Sequence, residues 1–268
     1  MGRFASKGSP GIERTVMLDN LPRPTIFAHR GASAHAPENT ISAFKLAAHL
    51  NADAIELDAK LSADGHVVVI HDQTVDRTTP SSGQVGDLSL SELRTLDAGS
   101  HFDITYKNET IPTLDEVFGS CGGEIYINVE LTNYASIKDD LPDKVAQLVK
   151  KHKLEENILI SSFNPVALRR VNRLLPEVPI GFLSLPGRKG MWARSRLGRF
   201  FVPYQALHPE LGDASTSMVK RVHQLGQRVH VYTVNRAQDL RRMFELNVDG
   251  IFTDDVPLAK EILKSIPH

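Results

Sequence analysis

Eight short apolar runs alternate with eight helical patterns along this chain, and that alternation limits its fold more than any other feature. The runs fall near 25–29, 54–61, 124–131, 158–163, 179–184, 205–209, 229–235 and 250–254. The helical patterns fall near 40–50, 113–120, 141–153, 165–175, 191–200, 215–226, 237–247 and 257–266. Strict β–α alternation at this count predicts an α/β fold, a (β/α)8 TIM barrel with parallel strands inside a ring of helices. The alternative is an open doubly wound sheet. Neither a P-loop nor a G-x-G-x-x-G fingerprint follows the first run to favour it.

The bulk properties narrow the function classes. With 268 residues, the chain is long enough for one such barrel. A formal net charge of −1 gives no global reason to expect nucleic acid. The single cysteine, Cys121, excludes an internal disulfide framework and fits a reducing compartment. Residues 1–24 read as an N-terminal extension without the apolar core of a signal peptide, and no stretch is long enough to span a bilayer. A cytoplasmic protein is the expectation.

The chemistry concentrates in residues 25–72. In the run Ala54–Leu61, Ile55, Leu57, Ala59 and Leu61 share one parity, while Ala54, Glu56, Asp58 and Lys60 share the other. Side chains alternate faces along a strand, so Glu56 and Asp58 point the same way. Two adjacent carboxylates suit a hard divalent cation, Mg2+ or Ca2+. In the run 124–131 the apolar parity is Ile125, Ile127, Val129 and Leu131, which leaves Glu124, Tyr126, Asn128 and Glu130 facing inward. Barrel interiors are normally filled by bulky branched residues, so inward carboxylates on two strands call for a bound cation. After Leu61, four residues, Ser62 to Gly65, turn the chain into Val67–Ile70, which predicts an antiparallel hairpin. Pairing Leu61 with His66 sets Glu56 opposite His71, a candidate acid or base. His29 closes the first run and is the second candidate. Asn39 and Thr40 read as helix caps, His35 as an exposed loop residue and His230 as core.

His29-Arg30-Gly31, Pro37-Glu38-Asn39-Thr40, Glu56-Leu57-Asp58, His71-Asp72 and Arg77-Thr78-Thr79 occur in order. Ile111-Pro112-Thr113-Leu114, Glu130 and Gly250-Ile251-Phe252-Thr253-Asp254 extend the set. Together these strings resemble the glycerophosphodiester phosphodiesterase family over most of the chain. The resemblance implies Glu56, Asp58 and Glu130 as metal ligands, His29 and His71 as the acid–base pair, and Arg30 in contact with phosphate. Tyr232 stands where relatives usually carry tryptophan, as a wall of the glycerol pocket or as barrel filler. Relatives also show Glu-Ile-Lys where this chain reads Glu130-Leu131-Thr132. Another cation, Lys60 or Lys107, is then expected to supply the missing charge.

Two further segments stand out. Residues 66–112 exceed a normal βα connection and predict a small inserted subdomain between strand two and helix two. It carries a capping box, Ser89 with Glu92. The resemblance implies that this lobe lies over the barrel mouth. Residues 186–204 hold Arg188, Lys189, Arg194, Arg196 and Arg199 and no acid, among Met191, Trp192, Leu197, Phe200 and Phe201. The preferred reading is a helix of the outer ring with its aromatics packed inward; the alternative is a cationic, aromatic flap meeting lipid.

These readings converge on metal-dependent hydrolysis of glycerophosphodiesters to an alcohol and sn-glycerol 3-phosphate, with His29 as base and His71 as acid. The attacking oxygen is that of water or of the substrate's own 2-hydroxyl. The alternatives are lysophospholipase D-like cleavage of lipid diesters and a catalytically dead barrel that binds glycerophosphodiesters.

Overall fold

A computed structural model describes residues 16–266 apart from 135 and 137. Its frame is a closed parallel barrel. The strands are β1 (Thr25–Ala28), β2 (Ala54–Leu61), β3 (Val67–Val69), β4 (Tyr126–Leu131), β5 (Ile158–Ser162), β6 (Ile180–Ser184), β7 (Ala206–Pro209), β8 (Arg228–Val231) and β9 (Gly250–Thr253). Their order is β1-β9-β8-β7-β6-β5-β4-β2-β3, and an added β1–β2 pairing closes the ring. Only β3 runs antiparallel, as the return arm of the hairpin on β2. The eight barrel strands match the eight expected runs.

The helices follow local rules. After α1 (Val16–Asn20) come α2 (Ile41–His49), the short α3 (Leu90–Leu93), α4 (Leu114–Cys121), α5 (Leu141–His152) and α6 (Pro165–Leu174). Then follow α7 (Arg196–Phe201), α8 (Thr216–Gln224), α9 (Ala237–Glu245) and α10 (Val256–Lys264). Capping boxes start α3 at Ser89 and α4 at Thr113, each with its glutamate three residues on. Asn164 accepts from two backbone N–H groups ahead of Pro165 in α6, and Lys153 ends α5 in the left-handed region. Alternation along β2 and β4 sends Ile55, Leu57, Ile127, Val129 and Leu131 outward into the core shared with helix residues Val117, Phe118 and Val145.

The barrel floor is filled. Phe27, Ala54, Leu159 and Phe252 form an apolar layer sealed from below by Met17, Leu18 and Leu21. Of the expected extension 1–24, Met17, Leu18 and Leu21 are buried against this layer, and residues 1–15 lie outside the described residues. Between β3 and α4, Val68, Ile70, Val75, Val85, Leu93, Ala98 and Ile111 make a separate small cluster.

Two local expectations are corrected. The hairpin pairs Leu61 with Val67 and Ala59 with Val69, one residue away from the expected register. The turn is tighter than four residues because Ser62 N–H donates to His66 O, leaving Ala63-Asp64-Gly65 as the loop. Gly65 takes φ +77, the left-handed position that closes a three-residue hairpin. The helix expected over 191–200 is only α7. Upstream of it, Gly187–Gly190 is a 3-10 turn and Arg194 is tied to Asp213 at 2.7 Å. A Cβ on Gly190 would come within 1.8 Å of Leu185 O, so this turn is packed too closely to continue as a helix. The aromatics are not packed inward either: Phe200 is 83% exposed and Phe201 49%. No helix among the described residues is long and apolar enough to cross a membrane.

Candidate active site

Register stacks the carboxylates in two adjacent layers at the mouth end of the barrel. Asp58 of β2 lies opposite Glu130 of β4, and Glu56 opposite Asn128 one layer lower. Ligand atoms of Glu56, Asp58 and Glu130 all lie within 4.8 Å of one another. Glu56 and Asp58 are each only 2% exposed. Burial, together with the neighbouring Asp58 and Glu130, pushes the Glu56 carboxyl well above the usual range. Burial, followed by the charge of Asp58, pushes Glu130 up to about 8. Three acids so close and so dry disfavour each other's charge, and a divalent cation inverts that balance. The set is all carboxylate oxygen, which is the donor chemistry of Mg2+ or Ca2+.

The loop after β1 wraps this group. Arg30 adopts φ 56, which aims its backbone N–H at Glu56 Oε2, 2.9 Å away. Such a conformation is costly for a residue with a side chain and tends to occur where a site demands it. Its guanidinium donates to Glu38 Oε1 at 3.0 Å and approaches Asp58 Oδ2 at 3.4 Å. Asn39, also at φ 56, donates from its side-chain amide to Asp58 Oδ2 at 2.9 Å. Of the two residues read as caps, only Thr40 caps α2, accepting from Ala43 N–H. Asn39 instead holds a carboxylate.

Both histidines reach the same cavity, about 280 Å³, whose walls include His29, Arg30, His71, the three carboxylates and Tyr232. His29 Nδ1 hydrogen-bonds Asp254 Oδ1 at 2.7 Å, leaving Nε2 as the uncommitted nitrogen. His71 does the same on Asp72 Oδ1, also at 2.7 Å. Asp72 is fixed in turn by Arg77 Nε at 2.7 Å, and Arg77 donates twice to Glu38, at 2.6 and 2.8 Å. Burial opposes the charge of Asp72, but hydrogen bonds from Arg77 and His71 hold its carboxyl down to about 2. Burial likewise opposes Asp254, and the His29 contact keeps it below the usual range. Each imidazole thus has a carboxylate hydrogen-bonded behind it, which fixes its tautomer and ring orientation. The slipped hairpin register does not remove His71, because the chain leaves the strand after Val69 and bends into the mouth.

The far wall is aromatic. Tyr134 meets Phe163 edge-on at 5.5 Å, and Phe163 meets Tyr232 at 6.0 Å. Tyr232 OH donates to Ser184 O at 2.7 Å, and Tyr134 OH donates to Glu130 Oε1. Deeper, His208 and His230 touch through Nε2 and Nδ1 at 3.2 Å, and burial pushes His208 down to about 3, so it is neutral. Of the two lysines expected to replace the missing charge, Lys60 is buried and donates to Thr132 Oγ1 at 2.8 Å. Burial holds its pKa below the usual lysine value, and Asp58, Glu130 and Asp72 offset that only in part. Lys107 is exposed and lines no part of the cavity. The sequence singled out neither Tyr134 nor Phe163, and it treated Asp254 only as part of a string.

Comparison with known proteins identifies the family and the fold. The model of the glycerophosphoryl diester phosphodiesterase family matches residues 29–258. The chain belongs to that family. With membership comes the reaction class, hydrolysis of a phosphoric diester. Among relatives of this family, the glycerophosphodiester phosphodiesterase of Caldanaerobacter subterraneus is 40% identical over 231 residues, 86% of this chain and 93% of its own. A putative glycerophosphoryl diester phosphodiesterase from Silicibacter pomeroyi superposes with a TM-score of 0.82 at 25% identity, covering 93% of this chain and 97% of its own. An Oleispira antarctica phosphodiesterase, solved with the product sn-glycerol-3-phosphate, gives 0.81 at 28% identity over 90% of this chain and 97% of its own.

Proposed function

We propose that this protein hydrolyses glycerophosphodiesters to an alcohol and sn-glycerol 3-phosphate with the help of a divalent cation, Mg2+ or Ca2+. One observation carries the reading: two carboxylate-backed histidines, a guanidinium and three clustered acids open onto a single cavity. The product found in the Oleispira antarctica neighbour supports the glycerol side of the substrate. In this reading Glu56, Asp58 and Glu130 hold the cation. When bound, it supplies positive charge to the diester oxygens and to the charge that grows in the transition state.

The chain's own residues do the rest. Arg30, braced by Glu38, orients a phosphate oxygen with its fork of donors. His29 takes the proton from the attacking oxygen at Nε2, since Nδ1 is committed to Asp254. His71, committed through Nδ1 to Asp72, gives the proton from Nε2 to the leaving alkoxide as the P–O bond breaks. Both roles need an imidazole whose second nitrogen is held by a fixed partner, which Asp254 and Asp72 provide. Tyr232, with Phe163 beside it, forms the wall against which the glycerol carbons pack. Residues 66–112 act as the lobe that carries His71, Asp72 and Arg77 to the mouth. Lys60, anchored on Thr132, supplies the positive charge that relatives place on β4. We assign the reaction to the cytoplasm, where the lone cysteine stays reduced.

The test is release of glycerol 3-phosphate from glycerophosphocholine. Release that stops with EDTA and returns with magnesium or calcium supports the reading. No release with any divalent ion, from a protein that binds glycerophosphocholine, makes it a binding barrel instead.

A further inference from the structure

Of the ten large apolar side chains exposed among the described residues, five lie within 191–201: Met191, Trp192, Leu197, Phe200 and Phe201. Leu197 is 63% exposed and Phe200 83%. This exposure sits on a fastened segment. Ala193, Val202 and Tyr204 are buried, and Trp192 lies edge-on against Phe182 at 5.3 Å. Arg194 donates to Ser184 Oγ at 2.8 Å, Leu185 O at 2.9 Å and Gly187 O at 2.6 Å, besides its pair with Asp213. The inner residues therefore hold the backbone, while the outer aromatics are left exposed by the described residues. Clustered exposed apolar side chains of this size mark an interaction site.

The charge around the cluster selects the partner. Residues 186–204 contain five basic residues and no acid, within a chain of net charge −1. Arg194 is neutralised by Asp213, whereas Arg188, Lys189 and Arg199 are exposed. A second copy docking through the same patch would set these cations against their own counterparts, because a two-fold interface matches a surface with itself. Aromatic and aliphatic side chains ringed by cations fit an anionic lipid surface, with rings in the headgroup region and cations on phosphates.

We propose that residues 186–204 form an interfacial patch through which the protein docks peripherally on anionic bilayers. Leu197, Phe200 and Phe201 enter the headgroup layer, and Arg188, Lys189 and Arg199 meet lipid phosphates. The patch is rooted at the catalytic cavity, since Ser184 receives Arg194 through its hydroxyl and Tyr232 through its carbonyl. The proposal does not depend on which diester the cavity accepts.

The test is co-sedimentation with vesicles of phosphatidylcholine alone or mixed with phosphatidylglycerol, read together with fluorescence of Trp192, the only tryptophan. Binding and a blue shift are expected with the mixed vesicles at low salt, and neither with the neutral ones. Each basic residue near an anionic surface contributes about fivefold in partitioning, so Arg188→Gln/Lys189→Gln/Arg199→Gln should bind about 100-fold more weakly. Phe200→Ser/Phe201→Ser should lose most binding, with both variants melting like the parent. Failure of the parent to bind mixed vesicles overturns the proposal, as does binding that neither variant weakens. A solution dimer dissolved by Phe200→Ser/Phe201→Ser, with no vesicle binding, overturns it in favour of a second copy.

Discussion

The two ends of the barrel interior use the same strands and the same inward parity, yet they are opposite materials. On β2, Ala54 lies at the floor while Glu56 and Asp58 lie towards the mouth; on β4, Tyr126 is low and Asn128 and Glu130 are high. The floor layer is Phe27, Ala54, Leu159 and Phe252, closed by α1. The mouth end gathers three acids whose ligand atoms lie within 4.8 Å of one another. Height along a strand, and not parity alone, decides whether an inward position stabilises or reacts. The floor supplies burial free energy, and the mouth gives some of it back by gathering like charges out of water.

The sharpest way to separate the two ends is to remove a mouth carboxylate. Glu56→Gln or Asp58→Asn should lose nearly all activity, about a thousandfold or more, along with most cation affinity, because each deletes one charged ligand of the proposed cation site. The melting temperature without cation should not fall, since each substitution also relieves repulsion. Calorimetric titration with magnesium and calcium, beside a thermal melt, checks both halves; unchanged affinity in both variants would remove the ligand assignment. Next in size, His29→Ala and His71→Ala should each lower kcat by roughly 10²–10⁴-fold at saturating cation. If the two serve one step, the double variant should be far less than multiplicatively worse.

The floor should behave in the reverse sense. Phe27 is fully buried and stacks on Phe252 at 4.7 Å. Phe27→Ala should cost about 3–5 kcal/mol of stability while leaving kcat per folded molecule within a few-fold. Denaturant unfolding with an active-site count measures both, and a large loss of kcat at full occupancy would blur the division between floor and mouth. The smallest effect concerns Asp72, whose carboxyl is held down to about 2 against burial by Arg77 and His71. A depressed carboxylate stabilises the fold above its unfolded pKa of about 3.9, and that stabilisation is lost as pH falls through the folded value. With its side chain 31% exposed, Asp72 should contribute about 1 kcal/mol. Parent and Asp72→Asn should therefore differ at pH 6 and converge between about pH 4 and 2, as read from denaturant midpoints.

What could be read from the sequence follows interaction range. Parity exposed Glu56, Asp58 and Glu130, because alternation along a strand is local and survives folding unchanged. The barrel itself followed from counting alternating patterns. The hairpin register slipped by one residue, because it rested on a turn whose geometry is set by one bond, Ser62 N–H to His66 O. Asp254 escaped notice as the partner of His29 because 225 residues separate them, and only barrel closure brings them together. Asn39 reads as a cap in sequence because Asn before a helix ordinarily is one; its φ of 56, with its amide on Asp58, leaves no trace in composition. The segment 186–204 misled in another way. Its pattern satisfied a helix, but Arg194 found four acceptors and stopped most of it from forming one.

The ladder between β1 and β9 carries a consequence for when this enzyme becomes competent during its own synthesis. It runs from Thr25–Gly250 to Ala28–Thr253, and beyond it His29 N–H donates to Thr253 O. All three mouth carboxylates lie within the first half of the chain, so a growing polypeptide possesses them long before it possesses Asp254. Until that last strand emerges and joins the first, His29 has neither its backbone tether nor its anionic support. Whatever order the other elements take, the seam is the step that orients His29. A ribosome-bound or C-terminally clipped chain can hold the acids and still lack an oriented His29.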